Sequence, residues 1–181
     1  MSTVYEALDR AGVPKRRVAS GIVPGGGTAV AIRFYSTRER PYGCFSNFSR
    51  HRFELDGAWW PTSEHYFQAQ KFAGTPHAER VRQARTPAGA AAIGRDRSLP
   101  LRPDWDVVKD DAMRRAVRRK FEAHDDIRAV LLATGDEPIV EDAPRDAYWG
   151  CGADGQGQNK LGRILMEVRA ALRRQAEAAA G

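Results

Sequence analysis

Apolar and polar residues alternate in short stretches that predict a few β-strands. Residues 28–35, TAVAIRFY, have the β-branched and aromatic character of a buried strand. Residues 51–55 and 58–60 flank the dipeptide Asp56-Gly57, which favours the tight turn of a β-hairpin. Residues 138–141 form a further short strand candidate. No internal repeat links these segments.

Helical periodicity accounts for most of the remaining chain. Apolar residues recur at helical spacing between capping residues, and proline after Thr75 and Thr86 suits the first position of a helix. Gly135 is expected to terminate one of these helices. The predicted helices cover residues 63–73 with Thr62 or Ser63 as N-cap, two short segments that follow Thr75 and Thr86, a long segment from its cap Asp104 to about 124, residues 127–133, and a final segment from Asn159 through Leu172.

These elements predict an α+β fold, mainly helical, in one domain. A chain of 181 residues is long enough to bury a sizeable core. Residues 1–20 resemble a short helix capped by Ser2, and the glycine-rich residues 21–27 resemble a flexible joint. We therefore expect an N-terminal extension and linker over 1–27, a domain over 28–175 and a tail over 176–181.

Composition is that of an ordinary soluble protein. Apolar residues make up 42% and charged residues 29%, and no apolar run approaches the roughly 20 residues of a membrane span. The N-terminus lacks a continuous apolar signal segment, so a cytoplasmic location is expected. Cys44 and Cys151 lack the spacing of a zinc site and are interpreted as reduced thiols. No metal or cofactor is expected.

The net charge of +6 raises the question of a polyanionic partner. In residues 113–121, MRRAVRRKF, apolar residues recur every four positions and four arginines occupy the other faces. This pattern fits either a solvated helix surface or a surface that follows phosphates. Nucleic acid is therefore a possible partner.

Residues 60–72, WPTSEHYFQAQKF, concentrate chemically active side chains. Glu64, Gln68 and Lys71 fall at helical positions i, i+4 and i+7 and share one face. The opposite side carries the aromatic residues Tyr66, Phe67 and Phe72, which anchor a helix in a core. The polar face must then meet solvent, another element or a ligand.

A second cluster lies in residues 146–162, DAYWGCGADGQGQNKLG, where glycines precede the last helix. Such a loop exposes backbone N–H groups at the positive end of a helix and is suited to phosphate. The spacing GxGxxG at 150–155 follows no strand of a βαβ unit, and no GK[ST] follows. A turn-rich connection with helix caps is the alternative. Trp149 is suited to stacking on a planar base, and Asp146 to a sugar hydroxyl or the reacting carbon.

A third cluster, PYGCFSNFS at residues 41–49, contains an aromatic loop with one amide. Asn47 has the donor and acceptor needed to contact a nucleobase or a ribose. The loop is also consistent with a simple entry into the core.

Four segments together resemble the NADAR family and, within it, the YbiA-like N-glycosidases. They are FYSTRERPYGCFSNFS, WPTSEHYFQAQKF, IGRDRSLPLRPDWDVVKDDAM and YWGCGADGQGQNKLGRILMEVR, which lie in order over roughly residues 33–172. The resemblance implies a mainly helical α+β fold and cleavage of an N-glycosidic bond. It implies substrates that are either ribosylamino-pyrimidine phosphates of riboflavin biosynthesis or ADP-ribose attached to guanine in nucleic acid.

The resemblance also implies roles for individual positions. It gives catalytic weight to Glu64, Asp146 and Trp149, and substrate contacts to residues matching Asn47, Lys71 and Asn159. Cys151 departs from the family pattern, in which an acidic residue is expected.

The chemistry of N-glycoside cleavage fits this residue set. One carboxyl group stabilises the sugar cation or activates water while another handles the leaving-group proton, and Glu64 and Asp146 are the expected pair. Lys71 either binds a substrate phosphate or attacks the sugar C1 as a Schiff-base nucleophile. His65 is expected to be structural. The remaining expected substrate contacts are Gln68, Gly150, Gly155 and Gly157. A binding module that reads ADP-ribose or a nucleotide without cleavage is the non-enzymatic alternative.

Overall fold

A computed structural model describes residues 30–181 of the chain. The elements within that range are β1 (Ile32–Phe34), a 3-10 turn (Tyr42–Phe45), β2 (Phe53–Leu55), β3 (Ala58–Trp60), α1 (Ser63–Gln70), α2 (Pro76–Arg82), α3 (Pro87–Gly94), α4 (Trp105–Ala123), α5 (Asp125–Ala133), β4 (Ile139–Glu141) and α6 (Lys160–Ala180). The predicted α+β, mainly helical class is confirmed. The helix and linker predicted over 1–27 lie outside the described residues.

The strands form two separate pairs. β1 and β4 pair in parallel with Ile32 opposite Ile139, and β2 and β3 form the predicted hairpin. Asp56 and Gly57 have φ values of 55° and 70°, as a tight hairpin turn requires. β1 ends at Phe34, one residue before the predicted end, because the Tyr35 N–H donates to the Glu39 carboxylate and the chain turns away from the strand.

Most predicted helix boundaries are confirmed. Thr62, Thr75 and Thr86 each cap a helix through the side-chain oxygen. Asp104 is the N-cap residue of α4, as predicted, but its carboxylate makes no capping bond, because it accepts two bonds from the Arg102 guanidinium at 2.6 and 2.9 Å.

The ends of two helices also differ from prediction. α1 ends at Gln70, before the predicted residue 73, and Lys71 serves as its C-cap. α6 continues to Ala180, well beyond Leu172. Within residues 30–181, no helix has the length and apolar character needed to cross a membrane.

The core surrounds helix α1, which packs against α2, α3 and α4. Tyr66, Phe67 and Phe72 are buried, as predicted for the apolar side of this helix. Helix α6 packs on α4 and on β4. This arrangement carries the last strand and the loop that follows it toward α1.

Candidate active site

Helix α1 is held at its N-terminus by Thr62 and His65. The Thr62 hydroxyl accepts from the His65 N–H and lies 2.8 Å from His65 Nδ1, while His65 Nε2 lies 3.0 Å from the Ala84 carbonyl. Since a carbonyl only accepts, Nε2 carries the proton and Nδ1 accepts from Thr62. The structure therefore gives His65 the supporting place expected for it, and the ring fixes the helix that carries Glu64.

The predicted polar face of α1 is assembled, but it is not exposed to solvent. Glu64 is only 6% exposed, and its Oε1 accepts from Gln68 Nε2 at 2.7 Å. Burial raises the pKa of Glu64, whereas the Gln68 bond and the positive charges of Arg95 and Lys71 oppose that rise. The result is a desolvated carboxyl group that binds protons more readily than an ordinary glutamate.

Lys71 lies at the other end of the same face. Its Nζ donates to the Gly94 carbonyl at 2.8 Å and lies 5.7 Å from the centre of the Trp105 ring. Burial lowers the pKa of the Lys71 amine, while the charge of Glu64 acts in the opposite direction. A lowered pKa increases the fraction of neutral amine, which is the nucleophilic form.

Asp146 and Trp149 lie in the loop between β4 and α6. Asp146 Oδ1 accepts from the backbone N–H groups of Tyr148 and Trp149 at 2.9 and 2.8 Å, which fixes the orientation of the carboxylate. The Trp149 ring meets Phe67 of α1 edge to face, with the ring centres 5.2 Å apart. This contact brings the loop against α1. The Asp146 charge raises the pKa of Glu64, which places the predicted carboxyl pair within electrostatic reach of each other.

Glu141, the last residue of β4, joins this pair and was not predicted from the sequence. Burial, together with the charges of Asp146 and Glu64, raises its pKa to about 7. Glu141 also lines a cleft of about 1060 Å³, and neither Glu64 nor Asp146 does so. The acidic residue at the end of the predicted strand 138–141, shortly before Asp146, was the available signal.

Asn47 lies beside the N-terminus of α1. Its carbonyl accepts the Glu64 N–H at 3.1 Å, and its own side chain is buried. The loop is anchored by the fully buried Lys120, whose Nζ donates to the Cys44 and Ser46 carbonyls at 2.8 and 3.2 Å. These bonds fix the backbone just before Asn47.

Three buried acceptor oxygens around this site have no hydrogen-bond partner within residues 30–181. They are Asn47 Oδ1, Gln68 Oε1 and Glu141 Oε2. Unpaired buried acceptors are costly, so a ligand that supplies O–H or N–H donors is favoured here. Sugar hydroxyls and amino groups have that chemistry.

The glycine-rich loop does not offer the expected phosphate site at the start of α6. The backbone N–H groups there are already used within the loop, by pairs that run from Gln158 to Ala147, from Asn159 to Gly150, from Lys160 to Tyr148 and from Leu161 to Trp149. The Lys160 amine pairs with Asp110 at 2.7 Å. The expectation fails because the loop folds back on the helix end and satisfies it.

The three glycines expected to contact substrate have different places. A Cβ on Gly150 would lie 2.6 Å from the Ala143 Cβ, and one on Gly157 would lie 2.5 Å from the Gly150 carbonyl oxygen. These two glycines allow the loop to pack closely on itself. Gly155 is exposed, with no atom near its Cβ position.

Asn159 uses its side chain on the sheet. Its Oδ1 accepts the Glu141 N–H at 3.0 Å and its Nδ2 donates to the Ile139 carbonyl at 2.9 Å. Because the oxygen and the nitrogen of its side-chain amide are both bonded to β4, Asn159 positions Glu141. The structure thus gives this residue a supporting place where a substrate contact was expected.

Cys151, where an acidic residue was expected from the family resemblance, is buried beside β4. Its N–H donates to the Glu141 carbonyl at 2.9 Å, and its thiol lies 3.3 Å from Asp142 Oδ1. Burial raises the pKa of the thiol. Cys44 and Cys151 are both free thiols. In the described part of the chain, no group of three His, Cys, Asp or Glu side chains is placed to hold one metal ion.

The chain is similar to known proteins over most of its length. The model of the NADAR domain matches residues 33–173. The chain belongs to the NADAR family. It is 52% identical to N-glycosidase YbiA of Escherichia coli (strain K12) over 141 residues, which cover 78% of this chain and 88% of that protein. It is 51% identical to N-glycosidase Npun_R5314 of Nostoc punctiforme over 147 residues, covering 80% and 94%.

A solved structure and a plant relative extend the comparison. The NMR structure of the E. coli protein YbiA superposes with a TM-score of 0.75 at 51% identity, covering 81% of this chain and 86% of that one. The chain is also 40% identical to the chloroplastic riboflavin biosynthesis protein PYRR of Zea mays, covering 78% of this chain and 25% of that protein. The predicted NADAR membership is confirmed, and the predicted N-glycosidase activity is supported.

Proposed function

We propose that this protein hydrolyses the N-glycosidic bond of ribosylamino-pyrimidine 5′-phosphates, intermediates of riboflavin biosynthesis. The observation that carries the proposal is the carboxyl cluster of Glu64, Asp146 and Glu141. These residues lie in α1, in the loop that follows β4, and in β4 itself, and they come within electrostatic reach of one another. Relatives named riboflavin biosynthesis proteins, in Zea mays and Vibrio vulnificus, support the choice of substrate.

Cleavage requires one carboxylate near the sugar and one proton donor near the base. As the C–N bond breaks, positive charge builds on the anomeric carbon and the departing nitrogen takes a proton. Asp146, held by two backbone N–H groups, faces the sugar and activates water. Glu64, whose pKa is raised by burial, supplies the proton. Water adds to the sugar carbon, and the products are the free aminopyrimidine and ribose 5-phosphate.

Other residues bind the two ends of the substrate. The unpaired oxygens of Asn47, Gln68 and Glu141 accept from sugar hydroxyls and pyrimidine amino groups. Trp149, partly exposed, contacts the base. Arg95 is exposed and influences the pKa of both Glu64 and Lys71. It is therefore the cation placed to meet the substrate phosphate, in place of the amides of α6.

Substitution of Glu64 by glutamine tests this function. Glu64→Gln keeps the shape of the side chain but removes the proton donor, so hydrolysis should fall by roughly 10²- to 10⁴-fold while the protein stays folded. Release of aminopyrimidine and ribose 5-phosphate from the ribosylamino-pyrimidine phosphate is followed by mass spectrometry. Glu79→Gln is the matched control, since Glu79 is an exposed glutamate of α2.

The same assay with ADP-ribosylated guanine in single-stranded DNA separates the two substrate classes. Release of free ADP-ribose, which leaves unmodified guanine in the strand, with no reaction of the pyrimidine compound would overturn the riboflavin assignment and leave an N-glycosidase. A folded Glu64→Gln variant with full activity would instead overturn the catalytic assignment.

A further inference from the structure

Three of the four arginines in the basic helix predicted from residues 113–121 pair with carboxylates, and the fourth, Arg119, bonds a backbone carbonyl. In α4, Arg114 pairs with Glu167 at 2.9 Å and Arg118 with Glu122 at 2.7 Å. Arg115 pairs with Asp56, and Arg119 donates to the Glu54 carbonyl at 2.9 Å. An arginine that is already paired offers little to a phosphate. The solvated-surface interpretation of this helix is therefore the better one, and positive charge for a polyanion must be sought elsewhere.

A groove beside the β2–β3 hairpin has the properties that α4 lacks. It encloses about 520 Å³, and three arginines line it, namely Arg50, Arg52 and Arg85. All three are exposed, and none forms a salt bridge with any residue from 30 to 181. No described acidic side chain lines the groove. Positive charge here is concentrated and uncompensated.

The groove also contains an exposed aromatic surface. Trp59 in β3 is 51% exposed, and the guanidinium of Arg52 lies 4.5 Å from the centre of its ring. The Trp59 carbonyl accepts from Arg82 at 3.3 Å, which helps to hold this part of the strand. The groove therefore combines an exposed aromatic ring with three arginines that have no carboxylate partner among residues 30–181.

We infer that the groove formed by Trp59, Arg50, Arg52 and Arg85 binds single-stranded nucleic acid. Nucleobases stack on exposed aromatic rings, and arginines neutralise the phosphates between them. Stacking requires an unstacked base, so a single strand fits and an intact duplex does not. This inference goes beyond the proposed function, because it concerns a surface that contributes no group to the carboxyl cluster.

The extent of the site follows from its surroundings. At Arg50 and Pro87 the groove meets the larger cleft, whose lining includes Glu39, Asp126 and Glu141. These acidic side chains repel phosphates. The site is therefore short, a few nucleotides at the arginine side, and it recognises backbone and stacked bases and not a sequence.

Binding of a fluorescent oligothymidylate of about 12 nucleotides to the full chain tests the inference by anisotropy, at salt concentrations from about 50 to 200 mM. Trp59→Ala should weaken binding by roughly 5- to 100-fold, and Trp59→Phe should restore most of it. Arg50→Ala combined with Arg85→Ala should make the dependence of log K on log salt shallower by about 1.4, because each single-strand phosphate contact contributes about 0.7.

The control variant has the same change of net charge, but on α4, where the arginines are paired with carboxylates. Arg114→Ala combined with Arg118→Ala removes two arginines that are paired on α4, and it should leave both affinity and salt dependence almost unchanged. Equal effects of the two double variants would show attraction to overall charge only and would overturn the inference. So would wild-type affinity in Trp59→Ala, or tighter binding of a duplex. Because binding is measured and not hydrolysis, failure of the proposed function leaves this test intact.

Discussion

At the scale of single residues, burial sets the chemistry of the site. Glu64 and Lys71 were predicted to share a face from their spacing along a helix, and they do influence each other electrostatically. Spacing alone does not reveal that the face is covered, because the covering residues come from other parts of the chain. Burial raises the pKa of Glu64 and lowers the pKa of Lys71, so each group is neutral over a wider range of pH.

Lys71 provides a test of covalent catalysis. On the covalent route, the Lys71 amine attacks the sugar C1 of an opened ribosylamine and water then hydrolyses the Schiff base, so borohydride added during turnover leaves a reduced sugar phosphate on Lys71, detected by peptide mass spectrometry. Lys71→Arg keeps the charge but cannot form the Schiff base, and on this route it loses both the adduct and most activity. Direct attack by the water that Asp146 activates leaves no adduct. An unmodified Lys71, together with an active Lys71→Arg enzyme, would leave only the phosphate-binding role.

At the scale of elements, local signals predicted where helices begin but not what their ends contact. Threonine before proline correctly marked the starts of α2 and α3, since that signal is confined to a few adjacent residues. The start of α6 was interpreted as an anion site, because glycines precede it. The structure closes that site with carbonyls of the loop at 147–150, a tertiary arrangement that no local pattern encodes.

Asn159 distinguishes positioning from substrate contact. Its backbone is left-handed, with φ of 49°, so Asn159→Gly removes the side chain without adding backbone strain. Loss of its bonds to Glu141 and Ile139 should lower the free energy of unfolding by about 1–3 kcal/mol. Denaturant unfolding measures this change, and Gln158→Gly next to it is an exposed control. A higher KM with unchanged stability would restore the substrate role.

At the scale of the whole molecule, the candidate active site brings together segments that are distant in sequence. Glu64 comes from α1, Glu141 from β4 and Asp146 from the loop that follows. The class of the fold, most element positions and two of the three carboxyl groups could be predicted from periodicity and from resemblance. Glu141 could not, because its role depends on the parallel pairing of β4 with β1.

The pH dependence of stability should report on Glu141. Its pKa is about 7 in the folded protein, above the ordinary glutamate value of 4.5. Between these values the folded state keeps a proton that the unfolded state has lost, so stability falls as pH rises through this window. We expect a loss on the order of 1–3 kcal/mol between pH 4.5 and 7 from this group. Denaturant unfolding across that range measures it.

Glu141→Gln removes the titrating group and should flatten this part of the stability profile. Glu137→Gln, an exposed glutamate nearby in sequence, should leave the profile as in the wild type. A wild-type protein equally stable at both ends of the window would contradict the predicted shift.

The pairing of β1 with β4 also has a consequence for biosynthesis. Arg33 and Asp142, which bridge the ends of this pair, are 109 residues apart in sequence. On the ribosome, β1 must wait unpaired until almost the whole domain has emerged, and long-range pairing of this kind slows folding. The strand that completes the sheet also carries Glu141. A nascent chain that has not yet reached β4 therefore lacks one of the three carboxyl groups of the proposed site, and the site is completed only when this strand pairs with β1.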